Sequence, residues 1–203
     1  MEKVNYQLIL DRTIDEIKKA GKRPSLLLQC CCGPCSSYVL EYLSKYFDIT
    51  VLFYNPNIYP YEEYEKRRRE LVRLIELYPY EYKVESAECE YEDEEFYKVV
   101  SGYEDQPEGG ARCVKCFALR LEKTAQMAKE KGFDYFSTTL TVSPHKNAQA
   151  INQLGMEIGK EYGVEFLLAD FKKREGYKRS IELSKEYDLY RQDYCGCKFS
   201  LNK

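Results

Sequence analysis

The sequence predicts an α/β protein, a parallel five-stranded sheet with helices on both faces. Two patterns carry that expectation. Short apolar runs of strand length alternate along the chain with longer stretches whose apolar residues recur at helical spacing. The first such run, Ser25 to Gln29, is apolar without polar alternation, which suits a strand buried on both faces. No internal repeat or low-complexity linker interrupts the alternation, so residues 1–203 are expected to form a single domain.

The elements follow in order. Residues 6–20 carry apolar positions at helical spacing and stop at Gly21. Ser25–Gln29 is the first strand. The run Cys30-Cys31-Cys32-Gly33-Pro34-Cys35 follows it directly, and Ser36 to Tyr46 reads as a helix. Ile49 to Tyr54 is the second strand, ended by Asn55-Pro56-Asn57, and Glu62 to Leu77 is a charged amphipathic helix. Tyr80 to Val84 is expected as the third strand. Helices over about 93–101 and 114–131 flank the loop from Glu104 to Ala111. Asp134 to Thr139 is the fourth strand, Lys146 to Tyr162 a helix, and Val164 to Leu168 the fifth strand. A helix over about 178–187 precedes a tail that carries Cys195-Gly196-Cys197.

In sheets of this kind ligands bind outside the carboxyl ends of the strands. The first Cys run, Asn55–Asn57, Thr138–Thr141 and Ala169–Phe171 each follow a predicted strand, so they are expected to share one rim.

A net charge of -3 gives no global signature of a nucleic-acid binder, although Lys66–Arg69 and Lys172–Arg174 are local basic runs. No run of 18 apolar residues and no basic-then-apolar leader occur. The expectation is a cytoplasmic protein away from membranes, where thiols stay reduced.

Nine cysteines are present, and only Cys89 stands outside three tight clusters. Clustered thiols favour metal binding or redox chemistry over a disulfide framework. Cys113 and Cys116 open a helix at a spacing that puts both sulfurs on one face, where the helix N-terminus favours thiolate. Such a pair is a common half-site for zinc or an iron–sulfur cluster. Cys32-Gly33-Pro34-Cys35 copies the thioredoxin dithiol motif, which makes a thioredoxin-like dithiol oxidoreductase an alternative. Cys30 and Cys31 upstream, and the lack of a Trp before the motif, speak against it. Eight clustered thiols exceed what one zinc or one four-iron cluster takes, so two centres are as natural as one. Cys195 and Cys197 flank a Gly that permits the strained loop of an i,i+2 disulfide, which reads as a redox dithiol ahead of a further ligand pair. The loop after the first strand lacks the Ser-Gly-Gly-x-Asp-Ser phosphate grip of adenylating enzymes, and no dinucleotide or Walker loop occurs.

The residues also carry a resemblance. Cys31-Cys32-Gly33-Pro34-Cys35-Ser36, Asn55 to Pro60, Arg112-Cys113 with Cys116-Phe117, Thr138 to Asn147 and Tyr190 to Ser200 resemble the cobalamin-independent epoxyqueuosine reductases of the QueH family. The resemblance spans about residues 25–200. It implies a fold related to the adenine-nucleotide alpha-hydrolase-like (HUP-like) proteins, and reduction of epoxyqueuosine to queuosine at the tRNA wobble position, the last step of that pathway. It implies that Cys31, Cys32, Cys113 and Cys116 bind a [4Fe–4S] cluster and that Cys195 and Cys197 form a redox-active disulfide. In the family a His often stands where this chain has Gln29, and Cys30 is an additional thiol.

Deoxygenating an epoxide takes two electrons and two protons, and the oxygen leaves only if a Lewis acid or proton donor takes its charge. The cluster or a nearby metal ion is expected to bind that oxygen and deliver electrons. Asp170 and His145 are candidate acids. A second metal centre, a mononuclear iron, is expected near Cys35 with Cys30 and Asp170. The anticodon loop of tRNA is the expected partner, held by the basic runs with Tyr59, Tyr61 and Tyr64, together with an unidentified electron donor. The competing classes are an iron–sulfur tRNA sulfur-transfer enzyme, disfavoured by the missing phosphate loop, and a non-catalytic iron–sulfur electron carrier.

Overall fold

Five strands, β1 (Ser25–Gln29), β2 (Asp48–Leu52), β3 (Glu85–Ala87), β4 (Tyr135–Thr138) and β5 (Glu165–Phe166), pair in parallel in the order β3-β2-β1-β4-β5. The computed structural model describes residues 4–201. β1 is the centre: Leu27 sits opposite Thr50 on one side and Phe136 on the other. Leu26, Leu27 and Leu28 are fully buried, as expected of a strand covered on both faces.

The period-two pleat of β1 divides the core. Leu26, Leu28 and Cys30 join one apolar cluster with Leu10, Leu40 and Phe47. Leu27, Cys31 and Cys32 join the other with Leu121, Phe136 and Ile151. The first cluster is covered by α1 (Tyr6–Lys19), α2 (Gly33–Leu43) and α3 (Tyr61–Leu77). The second is covered by α5 (Ala111–Lys131) and α6 (Ala148–Tyr162). Each buried Leu contributes roughly 1.5–3 kcal/mol relative to exposure. α4 (Asp93–Val100) packs on α5, and α7 (Gly176–Glu186) packs on α2. The predicted α/β sheet with helices on both faces is what the structure shows.

Several boundaries differ from the sequence expectation. β3 lies at Glu85–Ala87, downstream of the expected Tyr80–Val84. The aromatic run is a loop whose Tyr80 packs on the first core cluster, while the edge strand itself is polar and pairs through its backbone, Thr50 opposite Glu85. α2 starts at Gly33, with Pro34 in its first turn where a missing N–H costs nothing. α5 starts at Ala111, so Cys113 falls inside its first turn. α6 starts at Ala148, because the Asn147 side chain accepts from the backbone N–H groups of Gln149 and Ala150. Gly155 of α6 lies so close to Phe166 that a Cβ there would stand 2.5 Å from the ring. Among the described residues no helix is long and apolar enough to cross a membrane.

Candidate functional site

β1 has neighbours from both halves of the chain, so the direction of winding reverses between β1 and β4. That switch point opens a crevice at the carboxyl ends of the strands. A cavity of about 570 Å³ occupies it, within the usual range for small-molecule sites. Its walls come from the Cys run after β1, from Asn55–Ile58 after β2, from Leu140–Lys146 after β4, and from the tail around Cys195. A smaller cavity of about 70 Å³ continues from it past Arg120, Lys146 and Cys195 to Cys113, Cys116 and Cys197. The rim expected from sequence is therefore shared by three of the four post-strand segments; Ala169–Phe171 lies outside the cavity wall.

The sulfurs of Cys31, Cys32 and Cys35 all lie within 4.8 Å of one another, close enough to hold a metal ion together. Cys31 Sγ is 3.7 Å from Cys32 Sγ and 3.9 Å from Thr139 Oγ1. An extended backbone would send Cys31 and Cys32 to opposite faces, but Cys32 is the N-cap of α2 and the chain turns there into the helix. Hydrogen bonds from the Cys32 and Cys35 thiols, with Lys146 and Arg120 nearby, hold the Cys31 thiol well below its usual range. Cys32 is pushed up to about 12, first by donating to Cys31, and Cys35 rises for the same reason. One thiolate shared by three sulfurs at a helix N-terminus is a ready ligand for a cation.

Cys113 and Cys116 stand in the first turns of α5. Gly109 N–H donates to Cys113 Sγ at 3.2 Å. Burial raises both thiols, Cys116 to about 11. Cys116 and Cys197 pack together with Phe96 and Val100. The structure thus brings the tail beside the α5 pair, while Cys195 also reaches the larger cavity.

Two cations that sequence reasoning passed over face these thiols. Arg120 of α5 is buried, donates to the Cys116 carbonyl at 3.1 Å, and is held in its charged form by Cys116, Cys195, Cys31 and Cys113 despite the cost of burial. Lys146 is raised above the ordinary lysine range by Cys195, Cys31 and Cys35, which outweigh its desolvation. In sequence Arg120 sits in an amphipathic helix and Lys146 at the expected start of the next one, where charge normally reads as solvated.

Other expected residues sort themselves. His145 lines both cavities and is exposed. Asp170 is buried but lies outside both cavities, with Lys172 Nζ 3.0 Å from its carboxylate. Cys30 is fully buried in the first core cluster and is not one of the three close sulfurs, because the pleat turns it to the other face. Burial drives its thiol far up. Cys89 lies apart, in a groove with Tyr61, Tyr64 and Tyr91.

The basic runs are largely neutralised. Arg68 and Arg69 pair with Glu65, Lys66 lies over the Tyr190 ring, Lys172 pairs with Asp170 and Arg174 with Asp11. Of the three tyrosines, Tyr59 and Tyr61 are exposed, whereas Tyr64 is buried in an aromatic cluster. Gln29 completes a buried polar network: it accepts from Thr138 Oγ1 and donates to Asn55 Oδ1.

The sequence has counterparts among known proteins. The chain matches the family described as epoxyqueuosine reductase QueH over residues 26–203. It is 45% identical to an epoxyqueuosine reductase QueH of Streptococcus pyogenes, over 98% of this chain and 79% of that protein. It is 44% identical to the protein of that name from Staphylococcus epidermidis, over 100% of this chain and 87% of the relative. The Thermotoga maritima protein of the same name is 40% identical over 87% of this chain and 90% of its own length.

Proposed function

The chain belongs to the epoxyqueuosine reductase QueH family, and from that membership we propose how its own residues carry the reaction. It is an oxidoreductase of queuosine biosynthesis, with epoxyqueuosine in tRNA as substrate. The overall step is epoxide plus two electrons and two protons, giving an alkene and water. A dithiol that closes to a disulfide releases two electrons and two protons, so one turnover of a dithiol balances one deoxygenation. A two-electron reductant then reopens it.

The observation that carries the reading is the convergence of three thiol groups from distant parts of the chain on the crevice at the switch point. A [4Fe–4S] cluster takes four cysteine thiolates. In number and type the thiols suit it: Cys31 and Cys32 at the head of α2, with Cys113 and Cys116 at the head of α5, are our proposed ligands, although the close sulfur group itself is Cys31, Cys32 and Cys35. Arg120 and Lys146 stand where the negative charge of several thiolates needs compensation. When bound, such a cluster supplies electrons singly. Cys195 and Cys197 are the proposed redox dithiol. A mononuclear iron beside Cys35 is compatible with the close Cys31–Cys32–Cys35 group. Recruiting Asp170 to it requires release of the Lys172 ion pair, and Cys30 is turned away.

Lys146, kept as an ammonium, offers a fixed donor to an oxygen that develops negative charge. His145, exposed on the same wall, is positioned to bring a proton from solvent. Exposed Tyr59 and Tyr61, with Lys198 5.8 Å from the Tyr59 ring, suit stacking and phosphate contact with a single-stranded anticodon loop and its wobble nucleotide. The paired basic runs suit it less. The segment after β1 is a Cys run, which argues against an adenylating sulfur-transfer enzyme. We place the enzyme in the cytoplasm, where its tRNA substrate is found.

The test is direct. Anaerobically reconstituted protein with a strong reductant, without ATP or cobalamin, is expected to convert epoxyqueuosine-tRNA to queuosine-tRNA, read by nucleoside mass spectrometry. No conversion by a fully metallated sample would overturn the reading.

A further inference from the structure

Arg67 lies in the middle of the most charged helix of the chain, where sequence predicts a solvated side chain, yet it is 2% exposed. Its three nitrogens are all engaged. Nε donates to Glu63 Oε1 at 2.6 Å, Nη1 to the Cys195 carbonyl at 3.2 Å, and Nη2 to the Tyr194 carbonyl at 3.4 Å. The guanidinium also lies 5.0 Å from the Tyr194 ring centroid and forms part of the wall of the larger cavity. Gly196, between the two tail thiols, adopts φ +121°, and a Cβ there would come within 2.9 Å of Arg67 Nη1. A side chain at that position would therefore both strain the backbone and displace the guanidinium.

The surroundings fix the arginine in turn. Glu63 accepts from the Tyr190 hydroxyl at 3.0 Å, and the Gly196 carbonyl accepts from Tyr59 N–H at 2.8 Å. The Tyr194 hydroxyl donates to the Tyr59 carbonyl at 2.5 Å. A buried guanidinium is costly unless its donors are satisfied, and here carboxylate and tail carbonyls satisfy them together. A planar fork can bind two successive carbonyls at once, which a lysine ammonium cannot do in the same geometry.

We propose that Arg67 is a positioning residue for the tail thiols: by gripping the carbonyls of Tyr194 and Cys195, it holds Cys195 and Cys197 against the site. It contacts neither sulfur, so its influence on turnover passes through the tail. The inference rests on the reading of Cys195 and Cys197 as the redox dithiol.

The experiment compares Arg67→Gln, Arg67→Met and Arg67→Lys with Glu76→Gln, an exposed control on the same helix outside the basic run. Four quantities are read on the reconstituted enzyme: iron and sulfide content, kcat and KM for epoxyqueuosine-tRNA, deuterium exchange of the amides of residues 194–197, and the midpoint potential of the Cys195/Cys197 pair. Arg67→Gln is expected to retain iron, to raise tail-amide exchange by about tenfold, and to lower kcat by about tenfold with KM little changed, the effect of losing charge-assisted hydrogen bonds. The dithiol potential is expected to shift, and Arg67→Lys to recover only part of kcat. Glu76→Gln should match wild type. If Arg67→Met fails to fold, Arg67→Lys, which keeps the buried charge, decides. A folded Arg67→Gln with wild-type exchange and kcat would overturn the proposal, as would full activity in Arg67→Lys. Cys195→Ser separates the two readings. If that variant turns over normally, the dithiol reading fails, whereas faster tail exchange in Arg67→Gln would still show that the arginine grips the tail.

Discussion

Gln192 Nε2 stands 3.1 Å from Cys32 Sγ, so the tail touches the strand-end thiols before it reaches the α5 pair. One extended segment thus spans both sides of the crevice, with Cys195 on the shared wall and Cys197 beside Cys116. The proposed redox dithiol therefore stands beside both of the other thiol groups.

Ligands and dithiol are separable by mutation. Cys113→Ser and Cys116→Ser are expected to lose iron, sulfide and all activity, because removing one ligand disrupts the site. Cys195→Ser should keep iron and the visible spectrum while turnover falls at least tenfold. Iron and sulfide analysis beside the tRNA assay reads both. If Cys195→Ser strips iron as fully as Cys113→Ser, the tail thiols are ligands.

Cys30 is expected to behave as a core residue. Cys30→Ala should keep full iron content and lose about 1–2 kcal/mol of stability, a small cavity in an apolar cluster. Cys30→Ser should cost more, roughly 1–3 kcal/mol for a buried hydroxyl short of partners. Urea unfolding of the anaerobic protein measures both, and iron loss in Cys30→Ala would restore this thiol to the ligand list.

Lys146→Met removes a positive charge that faces Cys31, Cys35 and Cys195. Negative charge added by reduction is then less well compensated, so the midpoint potential of the proposed iron–sulfur centre should move downward. Lys173→Met, a change in an exposed residue away from the cavities, should not move it. A spectroelectrochemical titration reads the shift.

The pairing of α2 with α7 supplies a pH-dependent element. Burial raises the Glu41 carboxyl, but hydrogen bonds from Arg179 and Tyr78 outweigh it and leave the group below its usual range. A carboxyl depressed in the folded state stabilises above its unfolded pKa of about 4.3 and loses that contribution as pH falls through the folded value. Glu41→Gln should therefore melt earlier than wild type at neutral pH, by about 1 kcal/mol, with the two curves converging in acid. Equal melting at pH 7 would show that the pair contributes nothing.

What was legible in the sequence was whatever depends on local pattern. Apolar runs mark β1 and β2, helical spacing marks α1, α3, α5 and α6, and thiol spacing marks the three cysteine groups that line the crevice. What was not legible depends on tertiary burial. Arg67, Arg120 and Lys146 read as solvated charges, and only the fold turns them inward. The basic run Lys66–Arg69 looked like an RNA surface, but glutamates one helical turn away absorb much of it. β3 lies later than its pattern suggests because Tyr80 and Val84 pack on the core without being strand and Tyr82 is exposed, while the polar Glu85–Ala87 pairs through backbone alone.

The division of the interior into two apolar clusters bears on how this protein meets oxygen. The strand ladder, the first cluster and most of the second are built from residues other than the proposed ligands, unlike small zinc domains that unfold on chelation. The fold therefore does not depend on the proposed centre, although a bound cluster would add to its stability. On the proposed iron–sulfur reading, a molecule that has lost its cluster to air should persist as an intact, refillable scaffold, so the active fraction in a cell would follow iron supply and repair instead of protein turnover.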